Sequence, residues 1–340
     1  MSSRFFASDN CASVHPLIMK ALEDANNGHV ISYGDDDYTR KAENCIKSLF
    51  NQPCEVFLVY NGTGANVTGL AACIRSFNSV LCPDSAHINT DECGAFEGIT
   101  GAKLQQVCGK DGKFNIKAAE SLLCVKGVEH HSQPLVVSIT QSTELGTLYS
   151  IDEIKEIAEF AHKNGMFFHM DGARISNAAV ALKASVADIT QNAGVDVLSF
   201  GGTKNGMMFG EAVVFFNSEL AKDYRYIRKQ SMQLISKMRY VSAQYIAFLK
   251  DDLYLKNAEN ANIMAKRLSE GLSKLGFTAE YETVVNSVFV KLPKKLTDKL
   301  LKETFFYVWN EEENVVRLMT AFDTTFEDVD NFLNIIKKYI

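Results

Sequence analysis

From about residue 40 onward, short apolar runs alternate with stretches of helical periodicity, and this rhythm limits the fold more than any other feature of the chain. The runs CEVFLVY, SVLCP, PLVVSIT, FFHMD, VDVLSF and AVVFFN read as strands. PLVVSIT is β-branched in the manner of a strand buried on both faces. Between the runs, RKAENCIKSLFN sets Ala42, Cys45, Ile46, Leu49 and Phe50 on one helical face. NGTGANVTGLAACIRSF reads as a glycine-rich turn that opens a helix from Ala65 onward. SIDEIKEIAEFAHKNG carries Ser150 and Glu153 at capping-box spacing, with Gly165 where a C-terminal cap belongs. A helical stretch follows FFHMD and reaches to Gly194. Apolar strands joined by helices predict an α/β fold, with a mostly parallel central sheet flanked by helices.

After about residue 218 the rhythm changes. Long helices run from SELAKDYRYIRKQ to about Gly276, and FTAEYET, SVFVKLP, TFFYVWN and VVRLMTAF read as shorter strands with one helix among them. The last helix is expected from TTFED, with Thr324 and Glu327 at capping-box spacing and Val329, Phe332, Leu333 and Ile336 as its apolar stripe. This predicts a smaller α+β C-terminal domain. No Pro- or Ser-rich linker intervenes, so the division is expected within a continuous helix near residue 245, giving 1–245 and 246–340.

The bulk numbers narrow the function. A chain of 340 residues buries a sizeable core without staples. Its net charge of −6 argues against a nucleic-acid partner, which would need a basic face. No apolar run approaches the ~18 residues of a membrane span, and MSSRFFASDN lacks the apolar centre of a signal peptide. All eight cysteines lie at or before Cys124, none in a C-x-x-C pair and none with a histidine at finger-like spacing. No metal site is therefore expected, and a reduced, cytoplasmic protein is.

Three features bear on chemistry, and each has a plain structural reading beside the functional one. Asp171 ends the strand FFHMD, where it caps a helix or meets a ligand. NGTGANVTG is a strand-to-helix turn whose free N–H groups could hold a phosphate. Lys204, in SFGGTKNG, is a solvated loop lysine beside a hairpin-type Asn205-Gly206 turn, or a reactive amine. The combination is more specific than its parts. A phosphate cradle, an acid at a strand end and one lysine on a later strand-to-loop bend are what pyridoxal 5′-phosphate (PLP) requires. The acid pairs with the pyridine nitrogen, an interaction of roughly 4 kcal/mol at ~4 Å and an effective dielectric of ~20 before desolvation is subtracted.

SDN, YGDDDYT, NGTGAN, AHINTDECGA, QSTELGT, HMDGAR, SFGGTKNG and VVRLMTAFDTT occur in this order. Together they resemble the low-specificity L-threonine aldolases of the fold-type I PLP superfamily. The resemblance covers essentially the whole chain, and HMDGAR with the downstream lysine is its most specific part. It implies a large PLP-binding domain with a small C-terminal one, and cleavage of L-threonine or L-allo-threonine, β-hydroxy-α-amino acids, to glycine and acetaldehyde. It implies a homodimer or homotetramer with shared sites. By the same resemblance, Lys204 carries PLP as a Schiff base and Asp171 holds the pyridine nitrogen. Gly62, Thr63 and Gly64 bind the phosphate, and His87 stacks on the ring. Arg174 lies at the cofactor or substrate carboxylate, while Ser8 and Arg317 bind that carboxylate. Tyr33 and Asp35 form a wall offered to a neighbouring subunit, and Arg239 reaches a neighbour's phosphate. Glu144, in QSTELG, stands where one branch of the family has a histidine near the substrate hydroxyl, which leaves His87, a water or Glu144 as the base. The competing readings are a β-eliminating lyase or aminotransferase of the same fold, and a non-catalytic PLP-fold regulatory or binding protein.

Overall fold

A computed structural model of the chain describes residues 4–340, so Met1 to Ser3 of the MSSRFFASDN stretch lie outside the described residues. Seven strands form the main sheet: β1 (Glu55–Val59), β2 (Asn78–Pro83), β3 (Lys103–Val107), β4 (Gln133–Thr140), β5 (Phe167–Gly172), β6 (Val197–Phe200) and β7 (Glu211–Phe215). Their order is β1-β7-β6-β5-β4-β2-β3. The pairs β2–β3, β2–β4, β4–β5 and β5–β6 are parallel. β7 runs antiparallel to both β6 and β1. The C-terminal ends of β1, β2, β4, β5 and β6 therefore share one edge with the N-terminal end of β7. Ligands of α/β sheets gather at such an edge.

Alternate residues of the strands feed two separate cores. Leu58, Leu81, Val137, Phe168 and Leu198 enter one, with Ile154 and Ile157 of the Ile151–Lys163 helix. Val59, Val80, Val136, Val197 and Val213 enter the other, with Ala65, Val67 and Leu70 of the Gly62–Ala71 helix. The sheet is thus covered on both faces, which is why its central strands are almost continuously apolar. β3 is the exception. Its sequence, KLQQV, is an edge strand with only Val107 buried, so it lacks the apolar signal that marks the others.

The caps fix where helices start. Ser150 and Glu153 form the expected capping box, and Gly165 follows the helix with a φ of 64°. The helix after β1 begins at Gly62, earlier than Ala65, because Asn61 accepts the Gly64 N–H at 2.7 Å and draws both glycines into the first turn. The stretch after β5 is helical only over Ile175–Leu182 and ends at Lys183, which has a φ of 52°.

A second sheet holds β8 (Ser287–Lys291), β9 (Tyr307–Asn310) and β10 (Val315–Met319), with β10 central and every pairing antiparallel. FTAEYET forms no strand and contributes a single bridge, Ala279 to Val290. The last helix, Phe326–Lys337, starts one residue later than the sequence suggests. Thr325 and Asp328 make its capping box, while the Thr324 hydroxyl accepts the Ala321 N–H instead. The helix through residue 245 spans Arg239–Leu249 and is not continuous beyond that: Asp251 and Asp252 take φ values of 53° and 57° before the Leu253–Lys274 helix begins. That long helix starts in the main core with Leu253 and Tyr254 and ends in the C-terminal core with Met264, Leu268 and Leu272.

The start of the chain belongs to the same C-terminal core. Phe6 is 1% exposed and packs on Phe332. Its N–H donates to Phe305 O at 2.9 Å, and its carbonyl accepts the Met319 N–H at 2.8 Å. This lays Ser8 and Asp9 beside β10. Phe6→Ala should destabilise the protein by about 3–5 kcal/mol. Urea unfolding measures this, and an unchanged midpoint would mean the arm contributes nothing to that core.

Candidate active site

Lys204 is delivered by β6. Gly201 permits the bend, because a Cβ there would lie 2.5 Å from the Ala173 carbonyl oxygen. The glycine serves close approach of the β5 and β6 ends. Thr203–Asn205 then form a 3-10 turn, so Asn205-Gly206 is not a two-residue hairpin turn. Glu211, at the adjoining end of β7, accepts the Gly202 N–H at 2.7 Å and holds the bend. Burial pushes the Glu211 carboxyl up to about 7, against its hydrogen bonds from Thr203 and Gly202. Lys204 itself is half-buried and has no hydrogen-bond or ion-pair partner among the described residues. Burial and the charge of Arg174 lower its pKa, against the pull of Asp9, Asp171 and Glu211. A larger share of the amine is therefore unprotonated than in a surface lysine.

Asp171 sits on the neighbouring strand end. Its Oδ1 accepts the Ala173 N–H at 2.8 Å and its Oδ2 accepts Asn66 Nδ2 at 2.8 Å. Two residues earlier on the same face, His169 spans the sheet between Ser138 (2.9 Å) and Ser199 (3.1 Å). Burial pushes that imidazole down to about 4, so it is neutral at physiological pH.

Arg174 is committed. Its Nε and Nη2 grip the two oxygens of Asp9 at 2.7 and 2.9 Å, and Asp9 is 3% exposed. Asp9 also accepts Asn286 Nδ2 at 3.0 Å. Burial alone would raise the Asp9 carboxyl, but the Arg174 charge and hydrogen bonds outweigh it and hold it below the ordinary range. Arg317, on β10, is the opposite case. Trp309 and Tyr307 stack on its guanidinium at 4.8 and 5.6 Å, its Nη2 reaches Ala7 O at only 3.4 Å, and its buried Nε has no partner among the described residues. Ser8 follows Ala7 in the chain, its Oγ accepting the Asn10 N–H at 3.2 Å.

At the Gly62–Ala71 helix start, Asn61 takes the Gly64 N–H, which leaves those of Gly62 and Thr63 without an intrahelical partner. Gln233 lies against Gly64, where a Cβ would come within 2.2 Å of its side chain, and accepts the Tyr60 N–H at 3.0 Å. His87 opens a short helix, His87–Thr90, after β2. Its backbone N–H donates to Glu144 Oε1 at 2.9 Å, which also accepts Thr140 Oγ1 at 2.7 Å. Glu144 Oε2 is buried and unpartnered among the described residues, and burial raises that carboxyl above its usual value. The His87 ring lies 2.8 Å from Glu92 through Nδ1.

Tyr33, Asp35 and Arg239 are not gathered with this group. Tyr33 is 46% exposed under Lys229 at 4.8 Å, and Asp35 is exposed. Arg239 donates to the carbonyls of Asn27 and Gly28 at 3.3 and 3.1 Å. Sequence reasoning missed Asn66, Glu92, Gln233 and Asp9 as parts of the site. Asn66 and Glu92 do stand inside NGTGAN and AHINTDECGA, but only their burial reveals them.

The model of the beta-eliminating lyase family matches residues 6–295. The chain belongs to this family. Its relatives include the low specificity L-threonine aldolase of Pseudomonas aeruginosa, 41% identical over 95% of this chain and 94% of that protein. Among solved structures, a threonine aldolase of Leishmania major is 28% identical with a TM-score of 0.94, over 100% of this chain and 99% of that one. An alanine–glyoxylate aminotransferase of Nostoc shares the fold alone, at 14% identity and a TM-score of 0.70, over 99% of this chain and 95% of that one. The beta-eliminating lyase family and its threonine aldolase members imply PLP as the cofactor.

In this family member the Asp9–Arg174 pair makes a pH prediction. Asp9→Asn leaves a buried guanidinium uncompensated and should destabilise the fold by about 3–5 kcal/mol. The folded Asp9 carboxyl lies below its unfolded value, so its stabilisation is complete above the ordinary pKa of about 4 and is lost as pH falls through the folded value. Urea midpoints measured from neutral to acid pH should fall less steeply for Asp9→Asn than for the parent. Parallel slopes would refute the pair as the titrating element.

Proposed function

We propose that the chain is a PLP-dependent aldolase that cleaves L-threonine and L-allo-threonine to glycine and acetaldehyde. The observation that carries this reading is Lys204: a half-buried amine, unpartnered among the described residues and lowered in pKa, on the ligand edge of the sheet beside Asp171. The residues present fit the cofactor. The uncommitted N–H groups of Gly62 and Thr63 suit a phosphate, and Gly64 completes the same turn with its N–H held by Asn61 and Gln233 packed against it. Asp171 suits the pyridine nitrogen, His87 the ring face and Lys204 the covalent link. Bound there, PLP supplies an electron sink for the bond between the substrate's Cα and Cβ.

The protein's own groups do the rest. Arg317 takes the substrate carboxylate, with Ser8 as a second donor, because it alone of the two arginines is free of a carboxylate. Arg174 contributes its charge to that subsite while holding Asp9. His87 takes the proton from the β-hydroxyl, directly or through water, with Glu144, whose Oε1 receives the His87 N–H, as the alternative acceptor. Tyr33, Asp35 and Arg239 act on a neighbouring subunit's site, in a homodimer or homotetramer. Ile31 at 67% and Met232 at 81% exposure, close to Tyr33 and Arg239 in sequence, favour such a contact. Residues 1–245 and 246–340 are read as the large and small domains. Eight free cysteines suit a reduced cytoplasm, and among the described residues no helix is long and apolar enough to cross a membrane.

The deciding experiment is a visible spectrum of the purified protein with PLP, followed by assay of glycine and acetaldehyde from both diastereomers. Lys204→Ala should lose the cofactor's bound absorbance and nearly all turnover. Turnover of alanine with a 2-oxo acid, or of tryptophan, tyrosine or cysteine, in place of threonine would move the protein to an aminotransferase or β-eliminating activity. Glu144→Gln keeps an acceptor for the His87 N–H, so it should leave the absorbance unchanged and shift the ratio of kcat/KM between the diastereomers. An unaltered ratio would remove Glu144 from the neighbourhood of the β-carbon.

A further inference from the structure

Glu92 is the least expected charge in the molecule. Its side chain has no exposure, yet it lies in the polar stretch INTDECG. A buried carboxylate is costly unless hydrogen-bonded, and Glu92 has only two partners among the described residues. Both meet Oε1: His87 Nδ1 at 2.8 Å and Asn66 Nδ2 at 3.0 Å. Its Oε2 is buried with none. The amide of Asn66 has two N–H donors and uses its second toward Asp171, at 2.8 Å. One unbroken row therefore runs His87–Glu92–Asn66–Asp171. It links the loop after β2, the Gly62–Ala71 helix and the end of β5.

We propose that Glu92 is a positioning residue: its carboxylate fixes the proton of His87 on Nδ1, so that Nε2 is presented as the proton acceptor, and Asn66 locks this pair to Asp171. The proposal deepens the aldolase reading and rests on it for the use of Nε2. The chemistry of the donor set carries it. An ionised carboxylate only accepts hydrogen bonds, so its partner ring nitrogen must donate. In a neutral imidazole this leaves the lone pair on the other nitrogen. Glu92 is placed where it cannot meet substrate, and His87, with a side chain 38% exposed, is placed where it can. The charges acting on His87 are consistent. Glu92 raises its pKa most, Asp171 adds to that, and burial and Lys204 oppose, while Glu144 meets its backbone N–H. The row also explains why a helix interior holds a buried asparagine, Asn66, which would otherwise waste both donors.

The test uses full-length protein, PLP-loaded and labelled with 15N in its histidines, with the His87 signals assigned by loss in His87→Asn. Above the ring's pKa the parent should show a protonated Nδ1 and a bare Nε2. The reverse tautomer would overturn the proposal without any variant having to fold. Glu92→Gln should lower the His87 pKa by about one unit or more. It should move the acid limb of kcat/KM the same way and reduce kcat by roughly tenfold to a hundredfold. Glu92→Asp should restore part of the pKa. A His87 pKa unchanged in Glu92→Gln refutes the role of Glu92 even in an active enzyme. A parent that does not cleave threonine would refute the aldolase reading and leave the ring measurements standing.

Discussion

The bidentate ion pair between Asp9 and Arg174 is the contact on which the rest of the site depends. Arg174 follows the end of β5, and Asp9 arrives from the opposite end of the sequence on an arm packed into the C-terminal core. Asn286 completes the junction, its amide donating to Asp9 at 3.0 Å and to Thr320 O at 2.9 Å. The main sheet, the arm and the smaller sheet are thus tied at one buried point. A buried pair of this kind adds little net stability over an apolar substitute, but losing one partner is severe. Its value here is geometric. It consumes one arginine so that another, Arg317, is held nearby without an acidic partner.

Arg317 is kept in place by ring faces instead. Trp309 and Tyr307 contribute attraction without neutralising its charge, and Trp309 is itself braced by Phe289 at 5.4 Å. The charge of Arg174 lowers the pKa of both Lys204 and Arg317, and Asp9 opposes it at each, joined at Lys204 by Asp171 and Glu211. The imbalance is local to Arg317, which suits an anionic substrate group better than a fully paired array would.

Much of this was legible in the sequence, and the limits have physical causes. The central strands announced themselves because both of their faces are buried, whereas β3, at the sheet edge, has a polar sequence no different from a loop. Ser150 and Glu153 marked their helix because a capping box is a local hydrogen-bond pair. The same signal misplaced the last helix by one residue, because TTFED offers two adjacent threonines and only the backbone decides which one caps. Lys204 and Asp171 were found by their order along the chain and the strands before them. Glu92, Asn66 and Gln233 were not, because their meaning lies in contacts between distant elements. Arg239 and Tyr33 make no contact with Lys204 or Asp171 among the described residues, Arg239 holding the Asn27 and Gly28 carbonyls and Tyr33 lying exposed, so their assignment rests on the resemblance alone.

The arm that carries Asp9 also bears on the order in which the molecule assembles. The pairs that anchor it join Arg4 to Asp328 and Asp9 to Asn286, separations of 324 and 277 residues. Chain entropy lost on closing a loop grows with its length, and long-range contacts slow folding. The pairings of the main sheet close shorter spans: none of the parallel pairs is farther apart in sequence than β2 and β4, and even Glu55 of β1 and Phe215 of β7 are closer in sequence than the arm is to its partners. Refolding thus has a natural sequence, with the scaffold ahead of the chemistry: a population could regain its sheet while its active centre was still open at both ends of the chain.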